Sequence, residues 1–471
     1  MPSPEARPAT RLRWLAAKEW RELVASRATL VVALCVGPLV GHAFATAVSL
    51  YGEASGAGGG PAALSQGLSP LDGIVVPTFG AYAIAAMLLF PFVGIRAIAA
   101  EKETGALSLL VQSRADLGTI IAVKFVVLLA AWILAWIPGL VALAMWRASG
   151  GHLYAPEVAT VLAGHALRGT LVIALAFAAA AVTDGAASAA VLTLAVTLGT
   201  WALDFIGQVR GGIAMSLARF TPDSVIRVFE HGELRLDLVL ATAALTLVLL
   251  ALTVVWLRPA RSLPWRLGAS ALLVASAALG VASAVYTRAS WDASEDRRSS
   301  FAVADERMLG TIREPLYVTA HLAPDDPRLA DLERGVLRKL RRTLPSVHID
   351  YAARSATGLF EGPAEHYGEV WYRLGPREAM TRSTTVPIVL ETIYGLAGLT
   401  PPTPFQGNAY PGYPHVAHIR LVGFLFYGLW PAAVFLTWFT HRRHPKLLGK
   451  QTSKTSGKRK RLETTDLADR S

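Results

Sequence analysis

Apolar positions along the chain gather into eight long runs separated by short polar or charged breaks. They are Ala28 to Tyr51, Ile74 to Ile98, Thr119 to Trp146, Val158 to Val182, Ala186 to Ile206, Leu236 to Leu257, Leu267 to Tyr286 and Ile419 to Thr440. A helix needs roughly 20 apolar residues to cross a bilayer, so each run is long enough. Pro77, Pro91 and Pro138 fall within the second and third, where neighbouring helices can satisfy the freed carbonyls. Only Thr183, Asp184 and Gly185 separate the fourth and fifth, which predicts a tight helical hairpin. Ahead of the first run, Trp14, Leu15, Trp20, Leu23 and Val24 interleave with Arg13, Lys18, Arg21 and Arg27, the pattern of a helix lying in the headgroup region. That helix either anchors the first span or also meets a cytoplasmic partner.

The pattern breaks between residues 288 and 417, a long hydrophilic stretch with periodicities of its own. Leu316 to Leu322 alternates as a strand, and Val347 to Tyr351 and Tyr367 to Leu374 read as two more, the last followed by a Gly375-Pro376 turn. From Asp326 to Thr343, Leu329, Leu332, Val336, Leu337 and Leu340 recur at helical spacing opposite Arg334, Arg338 and Arg341, with Asp325 or Asp326 as N-cap. Pro387 to Leu396 is a further helix. The expected fold class is an α-helical polytopic membrane protein of about eight spans, with a small α/β extracytoplasmic domain between the last two.

Composition sharpens this. Of 471 residues, 53% are hydrophobic and 17% charged, and the mean hydropathy is +0.42, a balance that disfavours a wholly soluble chain. The same apolar content excludes disorder, and the single cysteine, Cys35, excludes a disulfide scaffold. The 45 basic against 34 acidic side chains leave a net charge of +11, and the excess sits beside the apolar runs. Arg11, Arg13, Lys18, Arg21 and Arg27 precede the first, Arg258, Arg261 and Arg266 fill the sixth-to-seventh turn, and the tail from Arg442 to Arg461 holds most of the rest. The loop from Gly52 to Gly73 has no Lys or Arg. By the positive-inside rule both termini face the cytoplasm and residues 288–417 lie outside. The tail from Lys446 to Arg461 suits anionic lipid or topology marking better than nucleic acid.

One connection carries a denser pattern. After the second run the sequence continues Glu101-Lys102-Glu103-Thr104-Gly105-Ala106-Leu107-Ser108-Leu109-Leu110-Val111-Gln112-Ser113 and reaches Lys124 in the third. Leu107, Leu110 and Val111 share one helical face, while Glu101, Lys102 and Glu103 supply solvated charge near its start; an ordinary charged loop is the plainer alternative. Gly105 permits a bend or a close backbone approach.

This run resembles the coupling-helix signature of the type-2 permeases of ABC transporters. Glu101, Lys102, Glu103, Gly105, Leu107, Leu109, Leu110, Ser113, Ile120 and Lys124 fall in register without a gap, whereas Ala106 stands for the usual Thr and Arg114 for the usual Pro. The resemblance covers roughly the first 260 residues. It implies that six spans form half of a transmembrane dimer, with a second copy or another permease. It also implies that Glu101, Lys102, Glu103, Gly105, Leu107 and Leu110 couple the chain to a separate ATPase subunit. The chain has no G-x-x-x-x-G-K-[ST] phosphate loop, so ATP and Mg would sit on that partner and this chain would be no enzyme and hold no cofactor.

The hydrophilic stretch resembles the extracytoplasmic domain of gliding-motility-type ABC transporter auxiliary subunits, through Glu314-Pro315-Leu316-Tyr317-Val318, Asp325-Asp326-Pro327, Leu332, Leu340 and Val347 to Tyr351. The implied organisation is an amphipathic helix at 1–27, a six-span permease at 28–257, a cytoplasmic connection and seventh span at 258–287, the α/β domain at 288–417, an eighth span at 418–440 and a basic tail at 441–471. A permease of a bacterial inner-membrane exporter is the first expectation. A membrane-anchored binding or scaffolding protein that only presents the outer domain is the alternative, and a polytopic enzyme comes third.

No catalytic constellation stands out. His321, His348, His366, His415 and His418 lack metal-ligand spacing, there is no G-x-S-x-G, and Glu361, Glu365, His366 and Glu369 read as a solvated loop about Tyr367. Within the runs, His165, Arg168 and Asp204 are ionisable groups costing on the order of 3 kcal/mol each in hydrocarbon, so they require partners. The hairpin suggests that His165 or Arg168 pairs with Asp204, as a structural fastener or in a translocation path. Asp237 reads as interfacial.

Overall fold

The computed structural model describes residues 8–54, 69–106, 116–210, 217–218, 221–287, 289–323, 326–352, 366–402 and 418–442. It contains eight helices long and apolar enough to span a membrane: Arg27–Ala54, Leu71–Glu103, Leu117–Ala148, Ala155–Val182, Ala186–Ile206, Leu236–Leu257, Leu263–Ala284 and Ile419–Arg442. They are consistent with a multi-pass membrane protein and are called the first to eighth spans below. Their ends follow local chemistry. Asp116 caps the third by accepting from Gly118 N at 2.9 Å, and Pro138 coincides with a break at Ala135 and Trp136 within it. The amphipathic helix Pro8–Val24 precedes the first span, and Ser26 Oγ, accepting from Thr29 N at 3.1 Å, starts the next helix.

The fourth span is the pillar. Two-thirds of its apolar window (67%) is buried within the protein, against 11% for the seventh and eighth. The second, third, fifth and sixth spans pack round it. The eighth lies against the first, where Gly37 and Gly41 open a notch: a Cβ at Gly37 would come within 2.1 Å of Trp430, and one at Gly41 within 2.5 Å of Phe426. Trp430 Nε1 donates to Ala33 O at 2.7 Å, which ties the indole to the helix it enters.

Between the fifth and sixth spans stands a short helix, Pro222–Glu230, that the apolar pattern does not announce. Thr221 caps it, accepting from Ser224 N at 3.3 Å; Val225, Ile226 and Phe229 are buried, while Asp223, Arg227 and Glu230 form a charged set. Strand β1 (Glu233–Arg235) follows and pairs antiparallel with β2 (Ser290–Asp292), joining the start of the sixth span to the chain beyond the seventh.

The α/β domain has a four-stranded sheet ordered β4-β3-β5-β6: β3 Leu316–Ala320, β4 Val347–Tyr351, β5 Val370–Leu374 and β6 Arg377–Thr381. β3 and β4 are parallel, joined through the helical stretch Pro327–Thr343, and the other pairs are antiparallel. Asp326 caps that stretch, accepting from Arg328 N at 2.9 Å; Asp325 lies outside the described residues. The helix Val386–Ala397 covers the same sheet face, which buries Leu316, Val318, Tyr372, Leu332, Val336, Leu340, Val389 and Ile393 in one core.

Candidate functional site: the end of the second span

The last turn of the second span gathers charge from three elements. Glu101 Oε1 lies 2.9 Å from Lys124 Nζ, on the third span, and 2.9 Å from Lys18 Nζ, on the amphipathic helix. Glu19 closes the group, its Oε2 2.7 Å from Lys124 and its Oε1 3.0 Å from Lys18; Glu22 adds a contact to Lys18 at 3.2 Å. Lys124 is buried, its side chain 1% exposed, which two carboxylates in contact make tolerable. Burial works against the Lys18 ammonium, but Glu101 and Glu19 outweigh it and hold its pKa above the ordinary lysine value. Glu19, Glu22 and Glu101 also bring carboxylate oxygens within 4.8 Å of one another, but two ammonium groups already lie between them, so the arrangement is an ion-pair cluster and not a metal cage.

The next two residues bind elsewhere. Lys102 Nζ donates to Ala181 O at 3.1 Å and Thr183 O at 2.6 Å, the uncapped carbonyls at the end of the fourth span. Glu103 Oε1 accepts from Ala186 N at 3.1 Å, at the start of the fifth. A cation on helix C-terminal carbonyls and an anion on a helix N-terminal amide both complement the helix dipole. Three consecutive side chains thus bind the amphipathic helix and the third, fourth and fifth spans to the second. This corrects the expectation that Glu101 and Lys102 supply solvated charge: Glu101 is 9% exposed and Lys102 is half-buried, and only Glu103 is exposed. Gly105 follows with φ +72°, a left-handed turn that a glycine takes without strain. Leu107 and Leu110 lie outside the described residues.

The intramembrane pair expected between His165 or Arg168 and Asp204 does not form. Arg168 Nη2 instead meets Asp223 Oδ1 at 2.8 Å and Met87 Sδ at 2.8 Å, while Asp204 Oδ1 accepts from Arg227 Nη2 and Ser224 Oγ, each at 2.6 Å. The short helix Pro222–Glu230 supplies both counter-charges, and because its own sequence is not a span it is invisible to a search for apolar runs. His165 is fully buried against Phe79 and Tyr82, with ring centroids at 5.4 and 5.6 Å, and neither ring nitrogen has a hydrogen-bond partner among the described residues. Its backbone is engaged: Trp132 Nε1 donates to His165 O at 3.0 Å. Asp237 is buried and paired with Arg235.

In the α/β domain, Glu369 is bound on three sides, by Arg382 at 3.0 Å, His366 at 3.1 Å and Trp371 at 3.2 Å, and Tyr367 Oη donates to Asp326 at 2.9 Å. These bonds occupy the groups as struts of the sheet. Glu361 and Glu365 lie outside the described residues. Comparison with family models, curated proteins and solved structures gives no match.

Proposed function

We propose that this chain is the membrane-spanning permease subunit of a bacterial ABC exporter, working as a dimer with ATP hydrolysed on separate Mg-dependent ATPase subunits. One observation carries the reading. Glu101 and Lys124, the two ends of the run that resembles a coupling-helix signature, meet at 2.9 Å, so the last turn of the second span is fastened to the first turns of the third. A docked subunit that pushed on the connection between the second and third spans would act at a junction bound to the amphipathic helix and to four spans together. That is the mechanical requirement for a partner's closure to shift a helical bundle as a body rather than bend one loop. The α/β domain sits at the opposite end of the second span, where Asp72 meets Arg298. In this reading it is the extracytoplasmic auxiliary domain of the same transporter.

The test is isolation of the tagged full chain from native membranes, followed by assay for a co-purifying ATP-hydrolysing subunit. Leu107→Asp and Leu110→Asp place charge at the apolar positions of the run and leave Lys18, Glu19, Glu101 and Lys124 unchanged. Together they are expected to release the ATPase while the chain stays inserted. Wild-type protein that brings no ATPase, or a double variant that keeps it at the wild-type ratio, overturns the proposal. The first of these outcomes would favour a membrane-anchored binding protein.

A further inference from the structure

The turn between the sixth and seventh spans concentrates cations with no carboxylate nearby in sequence. From Leu238 to Trp291 the sequence contains no Asp or Glu, yet Arg258, Arg261 and Arg266 stand within nine positions. None of the three has a carboxylate partner among the described residues. Two are held in place by indoles: the Arg261 guanidinium lies over Trp265 at 4.8 Å and that of Arg266 over Trp256 at 5.9 Å. Trp256 is itself fixed by its Nε1 donating to Ser270 Oγ at 3.0 Å, and Arg266 Nη2 donates to Arg258 O at 3.1 Å. Arg266 Nε is shielded and has no acceptor among the described residues. The turn is strained to reach this form, since Ala260 takes φ 57°, a left-handed conformation costly for a residue with a Cβ.

Both helices that carry the turn leave most of their apolar surface uncovered by the rest of the chain, with only 28% and 11% of their apolar windows buried within the protein. Cations at the ends of helices long and apolar enough to span a bilayer stand at the depth of the headgroups. We propose that this turn is a binding site for the phosphate of an anionic phospholipid, with Arg261 and Arg266 as its planar donors and Trp256 and Trp265 as the platforms that orient them. Guanidinium forks match phosphate oxygens two at a time, and stacking on an indole leaves the Arg261 fork edge free to donate, while Arg266, with Nη2 on Arg258 O and Nε shielded, offers Nη1. The site does not depend on the transport reading.

The experiment is native mass spectrometry of the full chain released from bilayers of phosphatidylglycerol and phosphatidylcholine in equal parts. Wild type is expected to retain one more phosphatidylglycerol than the double variant Arg261→Gln/Arg266→Gln. Loss of two cations corresponds to an affinity drop on the order of 25-fold, at about fivefold per cation near an anionic surface. Arg442→Gln, which removes a cation stacked on Trp438 at 4.9 Å on the eighth span, leaves that lipid in place. Because positive charge also orients a hairpin, Arg261→Lys/Arg266→Lys serves as the charge-keeping variant and is expected to hold the lipid several-fold more weakly. Equal retention by wild type and the Gln variant, equal affinity in the Lys variant, or no preference for the anionic lipid overturns the site.

Discussion

Lys124 shows why the polar letters of the 101–124 run are where they are. An ammonium with 1% of its side chain exposed is stable only while Glu19 and Glu101 accept from it, so the three residues form one unit drawn from three elements. Replacing one partner of a buried pair strands the others and typically costs about 3–5 kcal/mol, whereas replacing the set by apolar groups is often near neutral. Lys124→Leu is therefore expected to lower the unfolding midpoint of the purified chain sharply, and the triple variant with Glu19→Met and Glu101→Met to recover most of the loss. A Lys124→Leu variant as stable as wild type would show that the cluster is not buried as described. Asp326 offers a case outside the membrane spans. Hydrogen bonds from the Arg328 side chain and amide, with Tyr367 Oη, outweigh burial and hold its carboxyl down to about 2. Its folded pKa lies below its unfolded value near 4, so its contribution is complete above about pH 4 and lost as pH falls through about 2. Asp326→Ala should speed amide exchange in the helical stretch 327–343 near neutrality by an amount equivalent to about 1 kcal/mol, the usual worth of an N-cap. That difference should shrink as pH falls from about 4 through about 2, once intrinsic exchange rates are divided out.

Among the elements, the spans were legible because length and apolar content alone decide whether a helix can live in hydrocarbon, and all eight helices found coincide with runs read from the sequence. Three strands and two helices of the α/β domain were legible from period-two and helical spacing. What escaped had no pattern to read. β6, Arg-Glu-Ala-Met-Thr, is an edge strand without apolar alternation; β1 and β2 have three residues each; and Pro222–Glu230 buries only one face of two turns. Missing that last helix is also why the partners of Arg168 and Asp204 were misassigned, since pair choice depends on which elements meet and not on spacing. The docking of the eighth span was equally hidden, because a glycine notch identifies its occupant only in three dimensions. Gly37→Leu is expected to expel Trp430 from the notch. A photo-crosslinking residue in place of Trp430 should capture the first span in the parent chain and lose most of that product in the variant. Overpacking of this kind costs about 1–3 kcal/mol, and an undiminished crosslink would mean that the two helices pack elsewhere.

For the molecule as a whole, the question is how firmly the α/β domain is held to the helical bundle. Its own core is separate from that of the spans, and among the described residues the links include Arg342, whose Nη1 lies 3.4 Å from Glu233 of β1, and the segment 290–301. There Arg298 pairs with Asp72 on the second span, and His152 Nε2 lies 2.7 Å from Glu295 Oε2. Glu295 N donates to Glu157 at the start of the fourth span at 2.9 Å, and the β1–β2 ladder sets Leu234 opposite Trp291. Partly exposed ion pairs are worth about 0–1 kcal/mol each and a three-residue ladder little more, so the seam is weaker than either body it joins. Removing Arg298 takes away its pairs with Asp72 and Asp296 together. Arg298→Ala is expected to speed amide exchange in the β1–β2 ladder by roughly tenfold, the equivalent of about 1.4 kcal/mol, while amides of Val318 and Tyr372 in the sheet core keep their protection. If ladder and sheet core loosen together, the domain and the bundle open as one cooperative unit. The α/β domain would then be part of the helical body and not a unit able to move on top of it.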